Sequence, residues 1–181
     1  VAPETGKVER INPLPFADKH QFYNDTFNDN FDAKLLAPDW VFRRVPQPNT
    51  YSLNAKKGYL RLYLKPETFE PRKRYSAMGI TQKESEFEWE AKMIFNPKKN
   101  LEEAGISIYQ KDINFVNLTV QKIGNEHFVK VTVKEKNNQV TAMTDSAKIP
   151  NTEVKAFKSK ALPNYTGEIL LKIASKNGKY L

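Results

Sequence analysis

Two histidines, His20 and His127, are the only imidazoles in the 181 residues. They lie far apart in the chain. No HExxH, P-loop or GxSxG pattern accompanies them, so neither a metal hydrolase nor a serine nucleophile has its partner set. His127 follows the turn Gly124-Asn125-Glu126 at the head of a strand, an ordinary structural position. Carboxylates are more plentiful, and a glycosidase pair needs one acid raised in pKa by its surroundings and one ionised partner across the sugar. Glu86, Glu88 and Glu90 in ESEFEWEAK alternate onto a solvent face, where nothing desolvates them. They read as a charged outer face, and no catalytic residue is assigned. Asp29 and Asp32, with Asn28 and Asn30 in FNDNFD, form an oxygen-rich cluster of the kind that ligates calcium. It lacks EF-hand spacing and its glutamate, and a turn that bonds its own backbone is the competing reading. Sugars stack on exposed aromatic rings. Tyr63, Tyr109 and Phe115 fall on the polar phase of their strands, and Trp40, Phe42 and Tyr51 flank a proline-rich loop. Each could equally pack beneath a loop.

The elements that must position these groups have a period of two. Phe87, Trp89, Ala91, Met93 and Phe95 share one face of ESEFEWEAKMIF, with Glu86, Glu88, Glu90 and Lys92 on the other. Leu60, Leu62 and Leu64 alternate with Arg61, Tyr63 and Lys65. Val116, Leu118 and Val120 alternate with polar residues, as do Val129, Val131 and Val133. Ile169, Leu171 and Ile173 share a face. Lys99 to Gly105 has room for one short helical turn. Turn signals at Lys57-Gly58, Asn96-Pro97, Gly124-Asn125, Asn137-Asn138 and Asn177-Gly178 separate these runs. Strands with one apolar face need a second sheet to cover it, which predicts an all-β, antiparallel two-sheet sandwich over residues 26–181. Residues 1–25, with Pro3, Pro13 and Pro15 and no sustained period, read as a linker or edge segment leaving a preceding domain. The hairpin at Asn177-Gly178 has a return strand of only Lys179, Tyr180 and Leu181, so the sandwich reads as incomplete there, or as covered by something else.

Composition removes several classes. Without cysteine there is no disulfide, thiolate metal site or cysteine nucleophile. No apolar run approaches the roughly 18 residues that span a bilayer, and VAPETGKVER does not read as a secretion signal. The compartment stays open, with export favoured over the cytoplasm. The net charge of +8 invites a polyanion partner. Its densest clusters, Arg72 to Arg74 and the spaced Lys155, Lys158 and Lys160, form no long basic tract, so a solvated lysine-rich face is expected and nucleic acid is not.

The order of residues from Phe27 onward is more specific than any single side chain. Phe31-Asp32, Trp40, Phe42, Tyr51-Ser52-Leu53 and Gly58 to Leu62 resemble the opening of the C-terminal concanavalin-A-like sandwich of glycoside hydrolase family 43, β-xylosidase type. Phe95-Asn96-Pro97 and Glu103-Ala104-Gly105 are similar to its next corner and strand lead. Phe42 and Tyr51 stand where many relatives have tryptophan, and Arg43 where asparagine is common. The resemblance implies a non-catalytic accessory domain that packs on a five-bladed propeller and shapes its active site. The propeller carries the catalytic acids in that family. It implies xylo- or arabino-oligosaccharide as the glycan and no obligatory cofactor, with calcium open at Asp29 and Asp32. A loop of the sandwich reaches the active-site rim in the xylosidases. It falls here near residues 67–79, which makes Phe69 a rim candidate beside Trp40, Phe42 and Tyr51 as glycan contacts. The alternative is a stand-alone, lectin-like carbohydrate-binding module.

Overall fold

The computed structural model of the chain describes residue 6 and residues 26–69, 75–136 and 152–181. The expected linker over residues 1–25, His20, Arg72 to Arg74 and the Asn137-Asn138 turn fall outside the described residues, Gly6 apart. The side chains of Lys155 and Lys158 do so as well.

Alternating apolar side chains build antiparallel strands, and the described residues contain nine: β1 (Tyr51–Ser52), β2 (Arg61–Leu62), β3 (Phe87–Ile94), β4 (Glu103–Lys111), β5 (Asn114–Ile123), β6 (Glu126–Lys136), β7 (Thr152–Ala161), β8 (Glu168–Lys176) and β9 (Lys179–Tyr180). A four-stranded sheet has the order β4-β5-β6-β7 and a three-stranded sheet the order β3-β8-β9, while β1 pairs only with β2. Every ladder is antiparallel.

Register decides which side chains meet. In the smaller sheet Trp89 opposes Ile173, Ala91 opposes Leu171 and Met93 opposes Ile169. In the larger sheet Ile106, Leu118 and Val131 lie in one row, and Ala104, Val120 and Val129 in the next. The two apolar faces close on each other: Ile106, Leu171 and Ile173 are buried, with Trp89, Met93, Ile108 and Leu118 packed around them. Each such aliphatic side chain contributes about 1.5–3 kcal/mol when taken fully out of water. The sandwich predicted from the two-residue period is thus the observed architecture.

The opposite face of the larger sheet holds the polar phase. Lys130 pairs with Glu103 and also donates to Gln121 Oε1 (3.2 Å), tying three neighbouring strands together. Position 105 on this face is glycine because a Cβ there would stand 2.0 Å from the Leu118 carbonyl oxygen. The β8–β9 turn places Asn177 and Gly178 at φ 51° and 71°, the left-handed pair that a two-residue hairpin requires. Past β9, Leu181 continues the ladder by exchanging two backbone hydrogen bonds with Ala174, 2.8 and 3.0 Å.

Three segments differ from the sequence expectation. The run Leu60–Lys65 yields only Arg61–Leu62 as strand, and Leu62 and Leu64 are exposed. Its partner β1 is two residues long, too short for a ladder that would fix a buried face. The turn expected over Lys99–Gly105 ends early, and β4 begins at Glu103. The Glu102 carboxylate accepts from the backbone N–H groups of Lys98 and Lys99 (2.7 and 3.0 Å), and these bonds hold its pKa below the usual carboxylate range. Strand β7 carries no clean alternation in TEVKAFKSKA, so its lysines concealed it.

Candidate functional site

The β4–β5 hairpin turns on Asp112-Ile113, and a bulge between Tyr109 and Lys111 re-aims the chain just before it. Asp112 is only 9% exposed. A carboxylate that buried must be paired. Arg43, from the loop far upstream, meets it with both guanidinium nitrogens: Nη1 contacts Oδ1 and Nη2 donates to Oδ2 at 2.6 Å. The Tyr109 hydroxyl donates to the same Oδ1 at 2.6 Å. Arg43 Nη1 also donates to the Tyr75 hydroxyl at 3.0 Å, and its guanidinium lies 5.6 and 5.7 Å from the ring centres of Tyr75 and Tyr109.

Protonation follows from this geometry. Burial alone would raise the Asp112 carboxyl, but hydrogen bonds from Tyr109 and Arg43 outweigh it and hold the group below the usual carboxylate range. Burial, then the bond to Asp112, pushes the Tyr109 hydroxyl well above its ordinary value. The bond to Asp112 raises Arg43 further, so it is a permanent cation here.

Phe69 sits on this polar knot. Its ring centre is 4.5 Å from Tyr75, 5.1 Å from Tyr109 and 5.3 Å from Phe115, mostly edge-on or tilted. Tyr109 and Phe115 are register partners across β4 and β5. The two aromatics on the polar phase of those strands therefore form the seat of the Phe69 ring.

The other candidate residues separate into two further places. Trp40 is tied inward: its Nε1 donates to Asp29 Oδ2 at 2.7 Å, and its ring lies 5.3 to 6.2 Å from Phe27, Phe31 and Trp89. Asp29 Oδ1 accepts the Phe31 backbone N–H at 2.7 Å, the geometry of an Asx turn. A calcium ion at Asp29 would have to compete with these two donors. Asp32 is exposed and its Oδ1 lies against Gly58. Among the described residues no three His, Cys, Asp or Glu side chains gather as a metal-ligand set. Phe42 and Tyr51 stack on each other at 5.3 Å. Phe42 and Tyr75 wall a shallow hollow with Arg44, Gln47, Thr50 and Lys65, with room for about one water-sized sphere. His127 packs against Tyr165 at 5.2 Å, and the Tyr165 hydroxyl donates to the Phe95 carbonyl at 2.7 Å. His127 lies beside the β5–β6 turn, opposite Lys122 in register.

Arg43, Tyr75 and Asp112 were not among the candidates from sequence. Arg43 and Asp112 are 69 residues apart and share no motif, so only the fold unites them.

Two antiparallel sheets over one apolar core define a β-sandwich. Residues 28–167 match the profile of the β-xylosidase C-terminal concanavalin A-like domain, and the chain belongs to that family. It is 30% identical over 181 residues to the non-reducing end α-L-arabinofuranosidase BoGH43B of Bacteroides ovatus, covering 98% of this chain and 31% of that protein. It is 34% identical over 92 residues to a xylosidase/arabinosidase of Butyrivibrio fibrisolvens, covering 51% of this chain and 18% of that protein. Among solved structures, the GH43B protein of the Bacteroides ovatus xyloglucan locus superposes with a TM-score of 0.72 at 26% identity, over 92% of this chain and 30% of that one. The GH43 protein BlXynB of Bacillus licheniformis gives 0.67 at 22% identity, over 84% of this chain and 26% of that one, a likeness of fold. The chain thus spans about a third or less of the relatives it matches.

Proposed function

We propose that this sandwich is the non-catalytic accessory half of a family 43 glycoside hydrolase. It packs on a five-bladed propeller that carries the catalytic acids, and it presents the Phe69 arm to the rim of that active site. The substrate class is xylose- or arabinose-containing glycan, by similarity to relatives described as an arabinofuranosidase and as a xylosidase/arabinosidase. The observation that supports docking is the apolar surface in the first third of the described chain. Leu35 is 81% exposed, Val45 86% and Leu64 50%, with Val41, Leu62 and Tyr63 also exposed. These are six of the twelve large apolar side chains exposed among the described residues, and their exposure in an accessory domain suits an interdomain contact.

The test mixes this chain with the separately expressed propeller and measures association by sedimentation. A saturable equimolar complex is expected, weakened about tenfold or more by Leu35→Asp with Val45→Asp, as truncating buried interface anchors does. No association at any concentration would overturn docking. Binding of xylo- or arabino-oligosaccharide by the chain alone, lost in Phe42→Ala or Tyr51→Ala, would favour the lectin-like module instead. Hydrolysis of an aryl xyloside by the purified chain would contradict both.

A further inference from the structure

We infer that Arg43, Asp112 and Tyr109 are positioning residues: together they form a clasp that fixes the ring of Phe69 over β4 and β5. The inference rests on the reading that Phe69 serves a neighbouring active site, and it names residues which that reading does not supply.

The geometry carries the argument. Phe69 approaches three rings, and two of them, Tyr75 and Tyr109, end in hydroxyls bonded to the Arg43–Asp112 pair. The third, Phe115, is held by its register with Tyr109. Three separate stretches of chain meet here: the loop with Arg43, the arm with Phe69 and Tyr75, and the β4–β5 hairpin. One main-chain bridge, Val41 with Gly79 (2.8 and 3.0 Å), pairs the loop with the arm, but among the described residues no ladder fixes either of them against the β4–β5 hairpin. The bidentate Arg43–Asp112 contact does so, because a planar guanidinium facing a carboxylate with two parallel bonds allows little rotation. The Tyr109 hydroxyl fixes the remaining freedom of the carboxylate at Oδ1. Beside that bridge, the arm is joined to the loop by side chains, through the Arg43 to Tyr75 bond and the cation over the Tyr75 ring. Removing the carboxylate would release Arg43 and Tyr109 together, and with them two of the rings against which Phe69 rests.

Two measurements separate the clasp from the reading it rests on. The first uses this chain labelled with fluorophenylalanine, with the Phe69 resonance assigned by Phe69→Leu. Three neighbouring rings should shift that resonance away from the range of free fluorophenylalanine. Asp112→Ala should bring it back toward that range while the Phe27 and Phe31 resonances, beside Trp40, stay in place. Tyr109→Phe removes one hydroxyl without charge or volume loss and should move the Phe69 signal part of the way, which keeps the test valid if Asp112→Ala folds poorly. An unmoved Phe69 resonance in both variants overturns the clasp, whatever the enzyme does. The second measurement is steady-state hydrolysis of an aryl α-L-arabinofuranoside by the enzyme that carries this chain after its propeller. Phe69→Ala and Asp112→Ala should each raise KM about tenfold or more, the scale on which misplacing a substrate-positioning group is felt. Their double variant should be no worse than either, since both remove the same arm. Unchanged kinetics in Phe69→Ala, with the resonance shifts as expected, overturns the role at the active site and leaves the clasp as a contact within the sandwich.

Discussion

Asp112 stands on a two-residue turn, where an aspartate would ordinarily face water and bond its own backbone. Here it is nearly enclosed, and its two oxygens are shared among Arg43 and Tyr109. Asp112→Ala therefore leaves a guanidinium and a tyrosine hydroxyl without their acceptor. A loss of about 1–3 kcal/mol in urea unfolding is expected, at the lower end because the Arg43 side chain is 33% exposed and water takes up part of the charge. The pH dependence has a definite sign. The folded pKa of Asp112 is depressed, so its contribution is present above the ordinary carboxylate range and is lost as pH falls through the lower folded value. The folded pKa of Tyr109 is raised, so its contribution is present below the ordinary tyrosine range and is lost as pH climbs above it. Urea midpoints of wild type and Asp112→Asn should thus differ most on the plateau between those ranges and converge in acid. A constant difference down to the lowest pH would contradict the pairing. None of this was legible in the sequence. Tyr109 and Phe115 drew notice as aromatics on a polar phase, but Arg43 and Asp112 look like ordinary surface charges until the hairpin brings them together.

At the scale of the element, strands whose apolar and polar faces are both well populated were readable, and those with an interrupted face were not. The alternation in β3, β5, β6 and β8 is close to complete, because each of these strands puts one face into the core. In β4 the outer face holds Gly105 and Ser107, which carry little pattern, and the strand follows a turn that suggested a short helix. Gly105 explains this weak pattern as well as the structure. A Cβ at this position would meet the Leu118 carbonyl at 2.0 Å and the Thr119 Cα at 2.6 Å, backbone atoms that cannot turn aside. Gly105→Ala should force β4 from β5 and lower stability by about 1–3 kcal/mol, the usual cost of overpacking. Thermal unfolding would register it as a lower midpoint, and amide exchange at Ile106 and Leu118 should speed up. An alanine variant as stable as the wild type would contradict this close approach of the two strands. The opposite error, at Leu60–Lys65, came from a faithful period of two with no partner strand long enough to use it.

For the whole molecule, the two sheets leave a modest core and an uneven surface. Among the described residues the buried apolar side chains are Ile106, Val120, Leu171 and Ile173, all from the large sheets. The segment from Leu35 to Leu64 keeps six large apolar side chains at the surface, half of the twelve exposed among the described residues. Its fixed points among the described residues include the Trp40 to Asp29 bond, the Val41 bridge to Gly79, the β1–β2 pair, the Ser76 to Thr50 bond and the Arg43–Asp112 clasp. If this segment is the docking face, its local stability should depend on the neighbour far more than that of β5, whose backbone pairs on both sides. A partner that binds only the ordered form raises local stability by mass action. Hydrogen exchange of residues 35–64 should therefore slow by about tenfold or more when the propeller is joined to the chain, while exchange in β5 and β8 changes little. Equal slowing everywhere would mean that the propeller stabilises the sandwich as one unit, and no slowing over residues 35–64 would move the contact to another face. The exchange map thus separates apolar side chains that await a neighbour from those left at the surface by a small domain with too little polar area to cover itself.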